Sequence, residues 1–503
     1  MADRRRDGSG SGGPLMGPEE FAAAGHKLVD ALAAFYATLP QRPVTRAVSP
    51  GAVRELIGRE GLPDEGQPAD ELLGALVPLL ADHSLHNGHP RFFGYITSSA
   101  APLGALADLA AAALNANMGL WDLAPLASEI EAQAVRWLAE LIGFPLPCGG
   151  ILSSGGNMAN ILAFVAARRA RAPWDVRKDG LYGDRRRLTV YASRETHTWI
   201  EKAADLTGIG TVAVRWIETD ADQRIRPDAL EREIERDAAA GCLPFLVVGT
   251  AGTVSTGAID PLTELARISR RRGLWFHVDG AYGAPAAVLP EAPAELTALA
   301  LADSIALDPH KWLYVPIECA CTLVRAPDAL RDAFGFRPPY YQVDEDEEAG
   351  PNYYEHGLQN SRGFRALKVW LCLRNVGRAG YERQIRENIA LARYLYELVA
   401  AHETLEAGPQ NLSITTFRYR PRDAKADDPA WDGYLDALNT ELLGNVKRGG
   451  EAYLSNAVIA GRQYLRACIV NFRTRPADVE ALAALVAAEG RRLDEAHRPS
   501  GLR

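Results

Sequence analysis

Six short, almost unbroken apolar runs recur through the middle of this 503-residue chain: LTVYAS (188–193), TVAVRWI (211–217), FLVVGT (245–250), LWFHVD (274–279), SIALD (304–308) and ACTLVR (320–325). A strand with one face in water alternates apolar and polar residues, so runs that are apolar on both faces imply a sheet covered on both sides. Helical patterns precede and separate them, at 103–114, 127–142, 157–171, 198–207, 227–239 and 261–272. This alternation predicts an α/β domain with a mostly parallel central sheet, residues 91–370. Ligands of such sheets bind beyond the carboxyl ends of the strands. The residues at those ends therefore carry the question of function.

The flanking segments read differently. Residues 18–40, 51–58 and 69–82 are helical patterns, with Phe21, Leu28, Leu32 and Phe35 near helical spacing in the first. That stripe lies before a Pro-rich arm, far in sequence from the main domain, so 17–90 is expected to be a helical segment used for dimerisation. Residues 1–16 are basic, then rich in Gly and Ser, with no apolar stretch behind them; a disordered tail is expected rather than a signal peptide. Beyond 371, helices (383–402, 431–443, 477–494) alternate with the strands LSITTFRYR (412–420) and YLRACIVN (464–471), which predicts a smaller α+β domain over 371–495.

A net charge of −9 argues against a nucleic-acid partner, which needs a basic surface. No apolar run reaches the roughly 18 residues of a membrane span, so no membrane partner is expected. The six cysteines follow no framework spacing and read as reduced thiols, hence an expected cytoplasmic location. His86 and His89 in LHNGHPRFF have a ligand-like spacing without a third ligand, so no metal is expected.

Four strand ends stand out. Lys311 in DSIALDPHKWLYVP sits among apolar and aromatic neighbours, which strip its hydration and favour the neutral amine. The plain alternative is a snorkelling side chain. Asp279 closes the run LWFHVDGAYG, where a carboxylate needs a cationic partner or several donors, or else only caps its loop. In ILSSGGNMANILAFVAARRA, small residues run into an amphipathic helix capped near Asn157, the form of an anion seat. His197, in ASRETHTWIEKAAD, follows the strand at 188–193 and could equally be a cap. Together, an imine-forming lysine, a strand-end aspartate, a phosphate seat and a ring for stacking are what pyridoxal phosphate requires.

The motifs HPRFFGYITSSAAP, HVDGAYG and DPHKWLYVP, in this order and at these intervals, resemble the group II pyridoxal-phosphate-dependent decarboxylases, nearest the aromatic-L-amino-acid decarboxylases. The resemblance implies a fold-type I, aspartate-aminotransferase-like architecture, a homodimer with composite active sites and a small-molecule amino-acid substrate. On matching positions, Lys311 is the cofactor-binding lysine, His310 the phosphate-side histidine and Asp279 the partner of the pyridine nitrogen. Ala281 is the small residue under the ring, and His197 the histidine stacked on it. Gly155, Gly156 and Asn157 fall on the phosphate-binding turn, Thr253 near the ring hydroxyl, and Asp308 where some relatives carry asparagine.

Counted back from Phe364 in NYYEHGLQNSRGFRALKVW, Tyr353 matches the mobile-loop tyrosine that protonates the substrate carbon, with the acidic stretch 340–354 as its lid. Phe92, Tyr95, Thr97 and Trp121 are expected to wall the side-chain pocket, where Gly119 in place of a bulky aromatic would leave room for an indole. The implied activity is decarboxylation of an aromatic L-amino acid to its amine. The rivals are oxidative decarboxylation to an aldehyde, which the tyrosine at 353 disfavours, and a non-aromatic substrate. A non-catalytic scaffold would have no use for Lys311, Asp279 and His197 together.

Overall fold

A computed structural model describes residues 16–336, 350–425 and 428–502. Apart from Met16 the expected tail lies outside the described residues, and so do residues 340–349 of the expected lid.

The central sheet has seven strands: β1 (Gly149–Ser153), β2 (Leu188–Ser193), β3 (Val214–Ile217), β4 (Leu243–Thr250), β5 (Trp275–Asp279), β6 (Ser304–Leu307) and β7 (Ala320–Val324), in the order β1-β7-β6-β5-β4-β2-β3. The pairs β3/β2, β2/β4, β4/β5 and β5/β6 are parallel; β7 runs antiparallel to both β6 and β1. Strands β2, β5, β6 and β7 are buried along their whole length, as their unbroken apolar runs require. Parallel pairing aligns the carboxyl ends of β4, β5 and β6, with Thr250 opposite Asp279 and Asp279 opposite Ala306.

Before the sheet come helices α1 (Pro18–Thr38), α2 (Pro50–Ile57), α3 (Ala69–His83), α4 (Pro102–Leu114) and α5 (Pro125–Leu141), and α6 (Gly156–Arg171) follows β1. Helices α1 and α3 pack on each other yet keep large apolar side chains in solvent, among them Phe21, 54% exposed, Leu72 and Leu80.

A second, antiparallel sheet, β10-β11-β9-β8, forms from β8 (Leu405–Asn411), β9 (Ile414–Tyr419), β10 (Ser455–Ile459) and β11 (Arg462–Cys468). It packs with the helices Pro429–Gly449 and Pro476–His497 around its own core. The long helix Ala366–Ala401, broken at Gly377, crosses the boundary expected at 370 and serves both cores. The segment around residue 93 also belongs with the C-terminal sheet: Phe93 is buried in that core, and its N–H and C=O bond to Tyr453 and Cys468.

Candidate active site

The turns that follow β1, β2, β4, β5 and β6 open onto one cavity of about 410 Å³. Gly155, Gly156 and Asn157 reach it from the turn into α6, His197 from beyond β2, Asp279 and Ala281 from β5, and Asp308, His310 and Lys311 from β6. The strands are largely apolar because they are buried, and polar residues at or just past their carboxyl ends meet the cavity. That is why strand-end residues distant in sequence converge here.

Lys311 does not lie among apolar groups alone. Its Nζ is 3.0 Å from Asp308 Oδ2, and the Asp308 side chain is almost fully buried. His310 donates through Nδ1 to the Cys319 carbonyl (2.5 Å), which leaves Nε2 3.8 Å from the same carboxylate. Burial holds the His310 pKa below its usual value, only partly countered by Asp308. His197 is exposed on its cavity side; desolvation lowers its pKa, opposed by the Asp279 carboxylate. The Asp279 carboxylate is buried and accepts two bonds, from Trp199 Nε1 (2.8 Å) to Oδ2 and from the Ala281 N–H (3.2 Å) to Oδ1.

At the turn into α6, the first amide with an intrahelical partner is that of Ala159, bonded to the Gly155 carbonyl. The amides before it are the unsatisfied donors of a helix N-terminus. Gly156 keeps the seat open: a Cβ there would meet Asp308 Oδ2 at 2.6 Å.

Several expected residues lie elsewhere. Thr253 is buried in its own loop, where its hydroxyl lies 3.2 Å from that of Thr256 and accepts from the Ala258 N–H; Thr250 and Val254 line the cavity instead. None of Phe92, Tyr95, Thr97 and Trp121 lines the cavity, whereas Ile96 does. Phe92 is buried, stacked on Tyr453 at 5.5 Å. Tyr95 is 55% exposed, and Trp121 donates through Nε1 to Glu129. Gly119 is small for a different reason than substrate room: a Cβ would come within 2.1 Å of the Asn360 carbonyl oxygen.

Tyr353 is the largest departure. It is 3% exposed, in an apolar cluster with Ile151, Leu162, Val324 and Leu330, with the Arg362 guanidinium 4.9 Å from its ring centre. Arg362 is itself fixed by Glu131, at 2.6 Å, and by the Leu152 carbonyl. Burial raises the Tyr353 pKa well above the usual value. Tyr353 does not reach the cavity of its own chain.

Sequence reasoning also passes over Trp199, Asn160, Tyr282, Ile317 and Glu318, all on the cavity wall. The available signal for Trp199 is its place two residues past His197, on the first turn of a helix that starts beside a strand end.

Thr250 Oγ1 and Asp308 Oδ1, both on cavity residues, are buried and have no hydrogen-bond partner among the described residues. Such atoms are normally satisfied by a ligand or by water. With a lysine, a doubly bonded aspartate, a histidine and a helix N-terminus, the donor set fits pyridoxal 5'-phosphate, with Lys311 as its covalent anchor. The Asp308 carboxylate beside Gly156 opposes a phosphate there, and the Lys311 ammonium offsets it.

The pyridoxal-dependent decarboxylase conserved domain matches residues 50–420. An aromatic-L-amino-acid decarboxylase of Bacillus atrophaeus is 32% identical over 91% of this chain and 93% of its own length. A phenylacetaldehyde synthase of Petunia hybrida is 30% identical over 90% of each chain. The structure of Oryza sativa TDC with PLP and tryptamine superposes with a TM-score of 0.88 at 29% identity, covering 96% of this chain and 99% of that one. Cavity and comparisons agree: the chain belongs to the family of pyridoxal-dependent decarboxylases, and pyridoxal 5'-phosphate is its cofactor.

Proposed function

We propose that this decarboxylase takes an aromatic L-amino acid to its amine and carbon dioxide, as a cytoplasmic homodimer with composite sites. The observation that carries the reading is the meeting of Lys311, Asp279 and the α6 N-terminus in one cavity whose wall includes Ile96, Val254 and Ile317. When bound, the cofactor supplies a cationic ring that accepts the electron pair left when the bond from Cα to the carboxylate breaks. Asp279, its carboxylate fixed by Trp199 and the Ala281 N–H, would hold the ring nitrogen and favour that cation. Lys311 would be the covalent anchor that holds the cofactor in the cavity. Lys311 and His197 are the groups placed to return a proton to Cα after carbon dioxide leaves.

An aromatic substrate is supported by the names of the relatives and by the apolar wall; no arginine is among the described residues lining the cavity, which weighs against an acidic one. The exposed apolar side chains of α1 and α3 support residues 17–90 as the dimerisation segment, beside a cofactor domain over 91–370 and a small domain over 371–495.

The Petunia hybrida relative supports a second reading, in which dioxygen takes the place of the final proton and the products are aldehyde, ammonia, hydrogen peroxide and carbon dioxide. The test is a screen of the standard amino acids with the cofactor-loaded protein, in air and under nitrogen, measuring amine, aldehyde, peroxide and carbon dioxide. Amine equal to carbon dioxide from an aromatic substrate is expected. Peroxide equal to carbon dioxide favours the second reading, and turnover only of acidic or aliphatic substrates overturns the substrate class.

A further inference from the structure

Behind the cavity wall a buried hydrogen-bond chain runs from the phosphate turn at Gly156 through Asn160, His277 and Ser304 to Trp275, and a ring contact links His277 to Trp199, the donor to Asp279. His277 is fully buried on β5, two residues before Asp279. Its Nε2 lies 2.7 Å from Asn160 Oδ1, and its Nδ1 lies 2.8 Å from Ser304 Oγ. Asn160 in turn donates through Nδ2 to the Gly156 carbonyl, 2.8 Å away, on the first turn of α6. On the other side Trp275 Nε1 donates to Ser304 Oγ at 2.8 Å.

The chain has one direction. The Gly156 carbonyl can only accept, so the Asn160 amide nitrogen must face it, and Asn160 Oδ1 must face His277. The proton of His277 is therefore on Nε2, and Nδ1 accepts from the Ser304 hydroxyl, whose oxygen accepts from Trp275. A single imidazole tautomer results.

The ring has a second contact. The Trp199 indole meets His277 edge to face, with centroids 5.7 Å apart at 83°, and the same indole donates to Asp279 Oδ2. One side of His277 thus holds the turn that seats a phosphate, and the other steadies the donor that aims the carboxylate at a ring nitrogen.

We propose that His277, acting through Asn160 and Trp199, is a positioning residue that sets the spacing and aim of the phosphate seat relative to Asp279. Two anchor points on one rigid ligand bind tightly only if their separation is held. His277 supplies that constraint without touching the ligand. The inference rests on the cofactor assignment for the same cavity, and the two can fail separately.

The test uses apoprotein and three probes: pyridoxal 5'-phosphate, pyridoxal without its phosphate, and inorganic phosphate, each titrated by calorimetry. His277→Leu removes the chain, whereas His277→Gln keeps a donor for Asn160. The intact cofactor should bind the Leu variant about ten- to a hundredfold more weakly. Each fragment should bind within about twofold of wild type, because each needs only one anchor. The Gln variant should recover most of the loss.

A parallel loss of all three probes would show that His277 merely supports the fold, and an unchanged affinity for the intact cofactor would overturn the proposal outright. Should the Leu variant fail to fold, Asn160→Ala carries the same comparison, since it cuts the link from His277 to the Gly156 carbonyl and leaves the strand unchanged. Wild-type protein that binds none of the three overturns the cofactor assignment itself.

Discussion

Replacing Asp279 by asparagine keeps the shape of the side chain and removes its charge. In the native site both oxygens accept, one from Trp199 Nε1 and one from the Ala281 N–H. An asparagine has one acceptor oxygen and one amide nitrogen, so one of these two donors must face another donor. The same substitution takes away the anion that would partner the cofactor's ring nitrogen, in a side chain that is 5% exposed and little screened by water. Loss of one hydrogen bond to a charged group costs about 1.5–3 kcal/mol. Cofactor affinity should therefore fall by about ten- to a hundredfold.

The chemical step should slow further, by about a hundredfold or more, because the positive ring nitrogen is stabilised where the electron pair arrives. Equilibrium titration of apoprotein with cofactor gives the first quantity. Single-turnover decarboxylation at saturating cofactor gives the second, free of the binding defect. If the variant binds and turns over within about threefold of wild type, Asp279 only caps its loop, and the electrostatic reasoning fails.

Four further outcomes are expected. Lys311→Ala should lose turnover and the visible absorbance of bound cofactor while its far-ultraviolet circular dichroism stays native; more than a few per cent residual turnover would count against the lysine assignment. Tyr353→Phe should leave the ratio of amine to aldehyde unchanged, because the ring is packed under Arg362 and not in the cavity; new peroxide in air would return Tyr353 to the chemistry. Glu131→Ala strands the buried Arg362 guanidinium and should cost about 3–5 kcal/mol in denaturant unfolding, whereas a loss under about 1 kcal/mol would mean the pair is dispensable. Burial holds the His277 pKa down to about 4 from 6.5, so the unfolded chain binds the extra proton first; this group's stability contribution is complete above 6.5, declines as pH falls towards about 4, and should vanish from the melting profile of His277→Gln.

The strand ends were legible because burial makes a simple contrast: apolar on both faces, then suddenly a lysine, aspartate or histidine. That contrast found Lys311, Asp279 and His197. It could not find β1, whose GGILS begins with two glycines, nor β8 and β10, whose LEAGPQN and SNAVI have weak apolar content. Part of the cavity wall was illegible for a related reason. It includes Ile96, Val254, Ile317 and Glu318, isolated in loops with no periodicity to betray them, while the aromatic residues near 92 fasten the chain to the C-terminal sheet. The burial of Tyr353 away from the cavity of its own chain was illegible because spacing from Phe364 fixes a position in the chain and not a direction for its ring. The direction is set by Glu131 on α5, which fixes Arg362 across more than two hundred residues of sequence.

The strand order has a consequence for how the protein is made. The turns that build the cradle follow β1, β2, β4, β5 and β6, and in the sheet β7 lies between β1 and β6, so the strand that leads into the phosphate turn is joined to the sheet through β7. A chain cut short before residue 320 lacks the strand through which β1 joins the sheet. A chain whose last central strand is missing or misregistered is therefore expected to hold the cofactor weakly. It then lacks the stabilisation that a tightly held ligand gives to the native state alone, and is the form most exposed to proteolysis.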